Sequence, residues 1–392
     1  MTAVRTSTTL RAALVDQLTG RGRLDDPAWR YAFRSVPREL FVPYFFTPCR
    51  GRPGWGLVEA DDEWRTGVYA DDALVTQLNG DDGAAQVARR DGAVEGSPTS
   101  SSSAPGLMAA MLHALDVRDG MTVLEIGTGS GYNAALLSRR LGEDHVTTVE
   151  VDPGLGKRAR IALQAAGYHQ TVVIGDGTVG YPPKAPYDRV IATVALPTVP
   201  DAWRQQTRAG ALILIPLSFA GHGGLMALLH RDTSGVVSGR FLTQYGGFMA
   251  VRSLTTLNSP KIRPGLLDAA RPTQVPPQAL TDGHPTAFYL SIRCPTRYTT
   301  VGFTPDDHTT GVQTWGRGTD GSTFVITELD GMTKASADGP LWNAIEAAYA
   351  EWLDLGQPTR DRFGITAHDT HQWVWLDSPD HKITQLMSRP KP

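Results

Sequence analysis

Val123-Leu124-Glu125-Ile126-Gly127-Thr128-Gly129-Ser130-Gly131 is an apolar strand running into three glycines at alternate positions. Helical spacing follows from Ala134 to Leu141. Glycines let such a turn bend tightly and let backbone N–H groups approach a ligand. A dinucleotide fingerprint, G-x-G-x-x-G, would need glycine at 132, and Tyr132 stands there. The order E-x-G-x-G-x-G instead suits S-adenosylmethionine, which has no pyrophosphate to cradle. Its amino-acid end is a zwitterion, which Glu125 can engage electrostatically. Glu150 ends the next apolar run, where a carboxylate can accept both ribose hydroxyls. Gly175-Asp176-Gly177 ends the third run, and Asp176 there can accept the adenine amine.

Outward from this stretch the pattern is regular. Gly106 to Leu115 has one apolar helical face. Val146 to Glu150, Thr171 to Ile174, Tyr187 to Thr193, Leu212 to Leu217 and Leu225 to His230 read as strands, and Pro153 to Ala166 as a helix. Alternating strand and helix predicts a doubly wound α/β parallel sheet. Before it, Thr6 to Leu18 reads as a capped helix and Ala28 to Val36 as a second. Pro37 and Pro43 then predict extended chain. Asp81 to Pro105 is rich in Gly, Ala, Asp and Ser, the composition of a flexible linker. Beyond residue 252 the texture changes. Pro260, Pro264, Pro272, Pro276, Pro277 and Pro285 mark a connector. Phe288–Arg293, Phe324–Glu328 and Trp373–Leu376 read as strands and Leu341–Leu355 as a helix, so 286–392 forms an α+β accessory domain. The expected division is 1–252, a connector 253–285, and 286–392.

Composition excludes several functions. The 392 residues contain 37 Lys plus Arg against 40 Asp plus Glu, a formal charge of −3. No basic excess exists to hold nucleic acid. Hydrophobic residues at 41% and charged residues at 20% suit a folded, multi-domain protein. Cys49 and Cys294 make no CxxC pair, so no thiolate zinc site is expected. His368, His371 and His381 near Asp369 and Asp380 lack helical ligand spacing, and no metal is expected. Met1 to Gly20 has no apolar signal core. Ala209 to His230 lacks Lys, Arg, Asp and Glu, but its glycines and Pro216 read as two strands and a turn rather than a membrane span. A cytoplasmic protein is expected. Trp315, Trp342, Trp352, Trp373 and Trp375 are expected to pack in a core.

Several motifs together resemble the protein-L-isoaspartate O-methyltransferase family. They are Val36-Pro37-Arg38-Glu39-Leu40-Phe41-Val42-Pro43, Tyr69-Ala70-Asp71, Ser101-Ser102-Ser103-Ala104-Pro105, the glycine stretch through Tyr132, Thr148-Val149-Glu150-Val151-Asp152-Pro153, and Gly175-Asp176-Gly177 through Ala185-Pro186-Tyr187-Asp188. The resemblance covers roughly residues 10 to 252. It implies a Rossmann-like S-adenosylmethionine-dependent methyltransferase and the product S-adenosylhomocysteine. It places Ser103 at the active-site serine of a Thr-Ile-Ser-x-Pro motif, with Ser101 as a second catalytic hydroxyl. It assigns cofactor contacts to Ser102, Glu125, Gly127, Thr128, Gly129, Gly131, Glu150, Val151, Asp176, Gly177 and Thr193. Pro105 opens a helix, so Ser101 to Ser103 precede free N–H groups that would hold a carboxylate. A carboxylate is already a nucleophile at neutral pH. Positioning and water exclusion should therefore supply catalysis, with no triad.

Two departures stand out. The segment from Asp71 to Ser103 is longer than in the repair enzymes, and those enzymes are expected to lack 253–392. Leu341-Trp342-Asn343, Ala348-Tyr349-Ala350-Glu351-Trp352, Asp361-Arg362-Phe363-Gly364-Ile365-Thr366 and Val374-Trp375-Leu376-Asp377-Ser378-Pro379 look like the tail of actinobacterial relatives found with modified ribosomal peptides. That resemblance implies methylation of an Asp side chain in a macrocyclic precursor peptide, followed by aspartimide formation. Repair of isoaspartyl residues in proteins is the alternative.

Overall fold

The computed structural model describes residues 6–220, 222–251, 264–281, 284–303, 313–329, 331–369 and 371–386. The chain forms two compact units. The first is Met1–Thr193, Pro200–Ile215 and His230–Gly235; the second is Val194–Val199, Pro216–Leu229 and Val236–Pro392.

The first unit opens with α1 (Ser7–Gly20), whose N-cap Thr6 hydroxyl accepts from the Thr9 N–H. Leu10, Leu14, Val15 and Leu18 are its buried stripe. In α2 (Pro27–Ser35) Asp26 caps and Pro27 sits in the first turn. Between Pro37 and Pro43 the chain makes a 3-10 turn, Arg38–Leu40, rather than the extended run that two prolines suggest. One proline precedes the turn and the other follows it, so neither removes one of its hydrogen bonds.

Next come β1 (Tyr44–Pro48), β2 (Trp55–Glu59), α3 (Asp62–Val68), β3 (Leu74–Leu78), α4 (Ala84–Asp91) and β4 (Pro98–Ser102). The strands form an antiparallel sheet in the order β2-β1-β3-β4. The stretch 81–105 is therefore not a linker. Ala84, Ala85 and Ala88 share one face of α4 and are buried with Phe46 and Leu78. The serines of β4 pair with β3, Leu74 opposite Ser102 and Val75 opposite Ser101.

The parallel layer follows: α5 (Pro105–Ala114), β5 (Val123–Ile126), α6 (Tyr132–Leu141), β6 (Val146–Glu150), α7 (Pro153–Ala165), β7 (Thr171–Ile174), β8 (Tyr187–Ala192), α8 (Asp201–Gln205) and β9 (Thr207–Phe219), which runs on into the second unit. The strand order is β7-β6-β5-β8-β9, all parallel. From β5 the chain winds one way through β6 and β7, then crosses to β8 and β9. Such a reversal opens a crevice at the carboxyl ends of the strands beside β5.

The second unit contains β10 (His222–Arg231, in part), β11 (Val237–Tyr245), β12 (Arg271–Pro272), α9 (Pro285–Arg293), β13 (Tyr298–Phe303), β14 (Gln313–Gly318), β15 (Thr323–Leu329), β16 (Met332–Asp338), α10 (Leu341–Asp354), β17 (Phe363–His368), β18 (His371–Leu376) and β19 (Lys382–Leu386). No helix separates β9, β10 and β11, so strict alternation ends at β9. Strand order is β9-β10-β11-β17-β18-β19 in one sheet and β12-β16-β15-β14-β13 in the other. The run 288–293, expected as a strand, lies in α9 instead. His284 caps it, Pro285 opens it, and Thr286 to Ile292 are buried all round. A run apolar on every side has no period to separate strand from helix. Of the expected connector, 253–263 and 282–283 lie outside the described residues. Short turns occupy Pro264–Ala269 and Pro277–Leu280. Trp315, Trp342, Trp352 and Trp375 are buried, and Trp373 is half-buried. The rings of Phe324 and Trp342 lie 5.1 Å apart in the core of this unit. Among the described residues no helix is long and apolar enough to cross a membrane, and no metal-binding cluster of His, Cys, Asp and Glu occurs.

Candidate active site

The glycine turn lies at the carboxyl end of β5. Gly127, Gly129 and Gly131 have φ of 91°, 53° and 91°, where side chains are strained. A Cβ on Gly127 would stand 2.7 Å from the Thr193 Oγ1. That hydroxyl donates to the Gly127 carbonyl at 2.6 Å, and the Thr193 N–H donates to Ile126 at 2.9 Å. Thr193, just past β8, thus fastens the start of the turn. Thr128 is buried, its hydroxyl 2.6 Å from that of Thr148 on β6. The Gly129 N–H donates to Glu150 Oε2 at 2.8 Å.

Two carboxylates flank the turn in different states. Glu150 is 6% exposed; its Oε1 accepts from the Asp152 N–H at 3.0 Å. Each oxygen carries one protein donor, which leaves capacity for two more, the number a ribose diol offers. Glu125 is 0% exposed. Its oxygens accept from Asn133 Nδ2 at 2.7 Å and Thr148 Oγ1 at 2.6 Å. Burial pushes its pKa up to about 7 against the pull of those two donors, and nearby Glu150 adds to the rise. Glu125 therefore supports the turn from behind and, being fully buried, presents no oxygen at the surface. Val151, beyond Glu150, is 51% exposed, an apolar surface at a strand end. Asp176 is exposed and caps the short turn Gly177–Val179, its Oδ1 accepting from the Thr178 N–H and hydroxyl. The Gly177 carbonyl accepts from Trp203 Nε1. This set suits a nucleoside-bearing sulfonium: a carboxylate with spare lone pairs, an exposed apolar face and a second carboxylate one strand along.

The serine strand meets the turn at Gly129, where a Cβ would lie 3.6 Å from the Ser101 carbonyl oxygen and 3.8 Å from Ser100 Oγ. Ser101 and Ser103 are half-buried, and among the described residues neither hydroxyl has a hydrogen-bond partner. Ser102 faces the other way, buried, and its hydroxyl accepts from Arg38 Nε at 3.3 Å. The N–H groups expected to be free at α5 are engaged. Gly106 donates to Asp71 Oδ1 at 2.6 Å, and Leu107 and Met108 donate to the Ala104 carbonyl. The hydroxyls, not the helix amides, remain for a ligand.

Arg38 holds this arrangement and has no role in the sequence reading beyond marking a motif. It is fully buried. Nη1 donates to the carbonyls of Val68 and Ala70, and Nη2 to those of Asp72, Ser102 and Ser103. Its guanidinium lies 5.7 Å from the Tyr132 ring centroid, at the start of α6. Burial pulls its pKa down to about 10, so it stays charged at neutral pH. A lone Arg inside Val-Pro-Arg-Glu-Leu-Phe-Val is the signal that could have marked it, because an arginine in apolar company needs many acceptors.

The comparisons follow the site. The family model for protein-L-isoaspartate(D-aspartate) O-methyltransferase matches residues 81–245. A protein-L-isoaspartate O-methyltransferase of Ignicoccus hospitalis is 37% identical over 206 residues, 52% of this chain and 80% of its own length. One from Staphylothermus marinus is 46% identical over 215 residues, 53% and 79% of the two chains. The chain belongs to the protein-L-isoaspartate O-methyltransferase family. It is an S-adenosylmethionine-dependent carboxyl O-methyltransferase. A solved protein-L-isoaspartate O-methyltransferase structure covers 94% of this chain and 100% of its own, with 21% identity and a TM-score of 0.52. That likeness is one of fold.

Proposed function

We propose that the protein methylates the side-chain carboxylate of an isoaspartyl residue in a protein or peptide. The observation that carries this reading is the meeting at Gly129, which donates to Glu150 and abuts the carbonyl of Ser101. A cofactor held by Glu150 and a carboxylate held by the serine strand would then be neighbours. S-adenosylmethionine, when bound, supplies an electrophilic methyl group. Glu150 would accept the ribose hydroxyls, and Asp176 and Val151 would hold the base. The hydroxyls of Ser103 and Ser101 donate to the substrate and orient its carboxylate. Arg38 fixes the backbone that carries them. The nucleophile needs no base, so orientation is the main contribution.

Aspartimide formation in a macrocyclic ribosomal peptide is the second reading, and it rests on the tail motifs of residues 341–379. The relatives of this chain that carry the isoaspartyl name at 37% and 46% identity favour the first reading. Mass spectrometry with S-adenosylmethionine separates the two. Three substrates are offered in parallel: an isoaspartyl peptide, its aspartyl counterpart, and a macrocyclised Asp precursor. Gain of one methyl group on the isoaspartyl peptide is the expected result. Methylation of the precursor alone, followed by a net loss of water from its starting mass, would replace this proposal with the aspartimide reading.

A further inference from the structure

Gln77 is a polar side chain buried to 1% exposure in β3. It sits where the pairing of β3 with β4 shifts register on both sides, between Val75 and Gln77 and between Gln77 and Leu78. Such irregularities re-aim side chains. Gln77 Nε2 donates to two carboxylates, Asp82 Oδ1 at 3.0 Å and Asp152 Oδ2 at 3.1 Å, while its Oε1 accepts from the Thr99 hydroxyl at 2.9 Å. Asp152 caps α7 through the N–H groups of Gly154 and Leu155, and its own N–H holds Glu150 Oε1. Asp82 belongs to the lengthened segment. It pairs with Arg158 of α7 at 2.6 Å and packs so tightly that a Cβ on Gly154 would lie 2.2 Å from its Oδ2. One amide thus ties the lengthened segment to the turn that presents Glu150.

The geometry points to Gln77 as a positioning residue for the cofactor carboxylate, acting through Asp152, and to residues 79–97 as part of the cofactor site through Asp82. This inference rests on the reading of Glu150 as the ribose acceptor. Two anionic acceptors share one donor, so charge at position 77 decides whether the cluster holds. The charged groups facing it are Asp82 and Asp152, with Arg158 paired to Asp82 and Glu150 one step beyond Asp152.

Gln77→Glu keeps size and replaces the donor with a third carboxylate. At about pH 8 the three repel, and the turn should lose its hold on Glu150. Near pH 5 a protonated carboxyl offers an O–H donor again, because crowding by like charges raises its pKa. The test is calorimetric titration of the full-length protein with S-adenosylhomocysteine at both pH values. Gln77→Glu should bind about tenfold more weakly than wild type at the higher pH and within about threefold at the lower. Gln77→Asn keeps the amide but is too short to span both acceptors. It should lose about threefold to tenfold at both pH values, which keeps the test open if Gln77→Glu fails to fold. Wild-type affinity in either variant at the higher pH would overturn the proposal. So would a Gln77→Glu loss of the same size at both. Glu150→Ala runs in the same series. If it binds normally, the ribose reading itself falls; if it binds weakly while Gln77→Glu binds normally, only the Gln77 inference falls.

Discussion

Glu125→Gln should stabilise the protein near pH 8 and leave its stability nearly unchanged near pH 4.5. Burial raises the Glu125 pKa from 4.5 to about 7, so the folded chain keeps this proton over a range in which the unfolded chain has lost it. For an acid shifted upward, the associated stability is fully present below the unfolded pKa and is lost as pH rises through the folded one. A difference from 4.5 to about 7 is worth about 3 kcal/mol. Glutamine does not titrate and so escapes that loss. It also finds partners. The Asn133 Oδ1 is buried with no partner, and the Thr148 and Thr128 hydroxyls can reverse their direction of donation. The assay is thermal unfolding followed by near-ultraviolet circular dichroism at the two pH values. The variant should melt roughly 5–10 °C above wild type near pH 8, with little gain near pH 4.5. S-adenosylhomocysteine affinity should stay close to wild type, because Glu125 is fully buried behind the turn. Equal melting shifts at both pH values would refute the burial argument. A tenfold loss of affinity would show that Glu125 acts on the ligand's charged end, as the motif suggests from sequence.

Three further outcomes are expected. Glu150→Ala removes an acceptor of two backbone N–H groups and of the ribose, and should weaken S-adenosylhomocysteine at least about tenfold by calorimetry; unchanged affinity would refute its role. Ser103→Ala should lower kcat on an isoaspartyl peptide about tenfold or more while cofactor affinity holds, and full activity would take Ser103 out of the mechanism. Arg38→Lys keeps the charge but offers fewer donors to five carbonyls, and should cost about 3 kcal/mol in melting experiments along with a matching fall in kcat; wild-type melting would mean that those carbonyls find other partners.

The parts of the fold legible from sequence are those written in local chemistry. Thr6 and Pro153 announce helix starts, and the glycines after β5 announce a turn that needs positive φ. The segment 81–105 and the run 288–293 were not legible, for two different reasons. The serines of β4 have little strand preference of their own and are ordered by pairing with β3 across the intervening α4, a contact that composition does not record. Phe288-Tyr289-Leu290 in α9 is a short continuous apolar run, buried like its neighbours, so periodicity does not separate strand from helix there. The site divides along the same line. Glu150, Asp176, Gly129 and Ser103 lie in motifs, and in the proposed mechanism their chemistry is directed at a ligand. Arg38 and Asp71 also lie in motifs and Gln77 does not, but all three spend their chemistry on the backbone and side chains of distant segments, so their partners are set only when the chain has folded. The proposed catalytic geometry draws on both sets, since Arg38 Nη2 holds the Ser103 carbonyl. A change at Arg38 should therefore lower turnover without touching any group that meets the substrate.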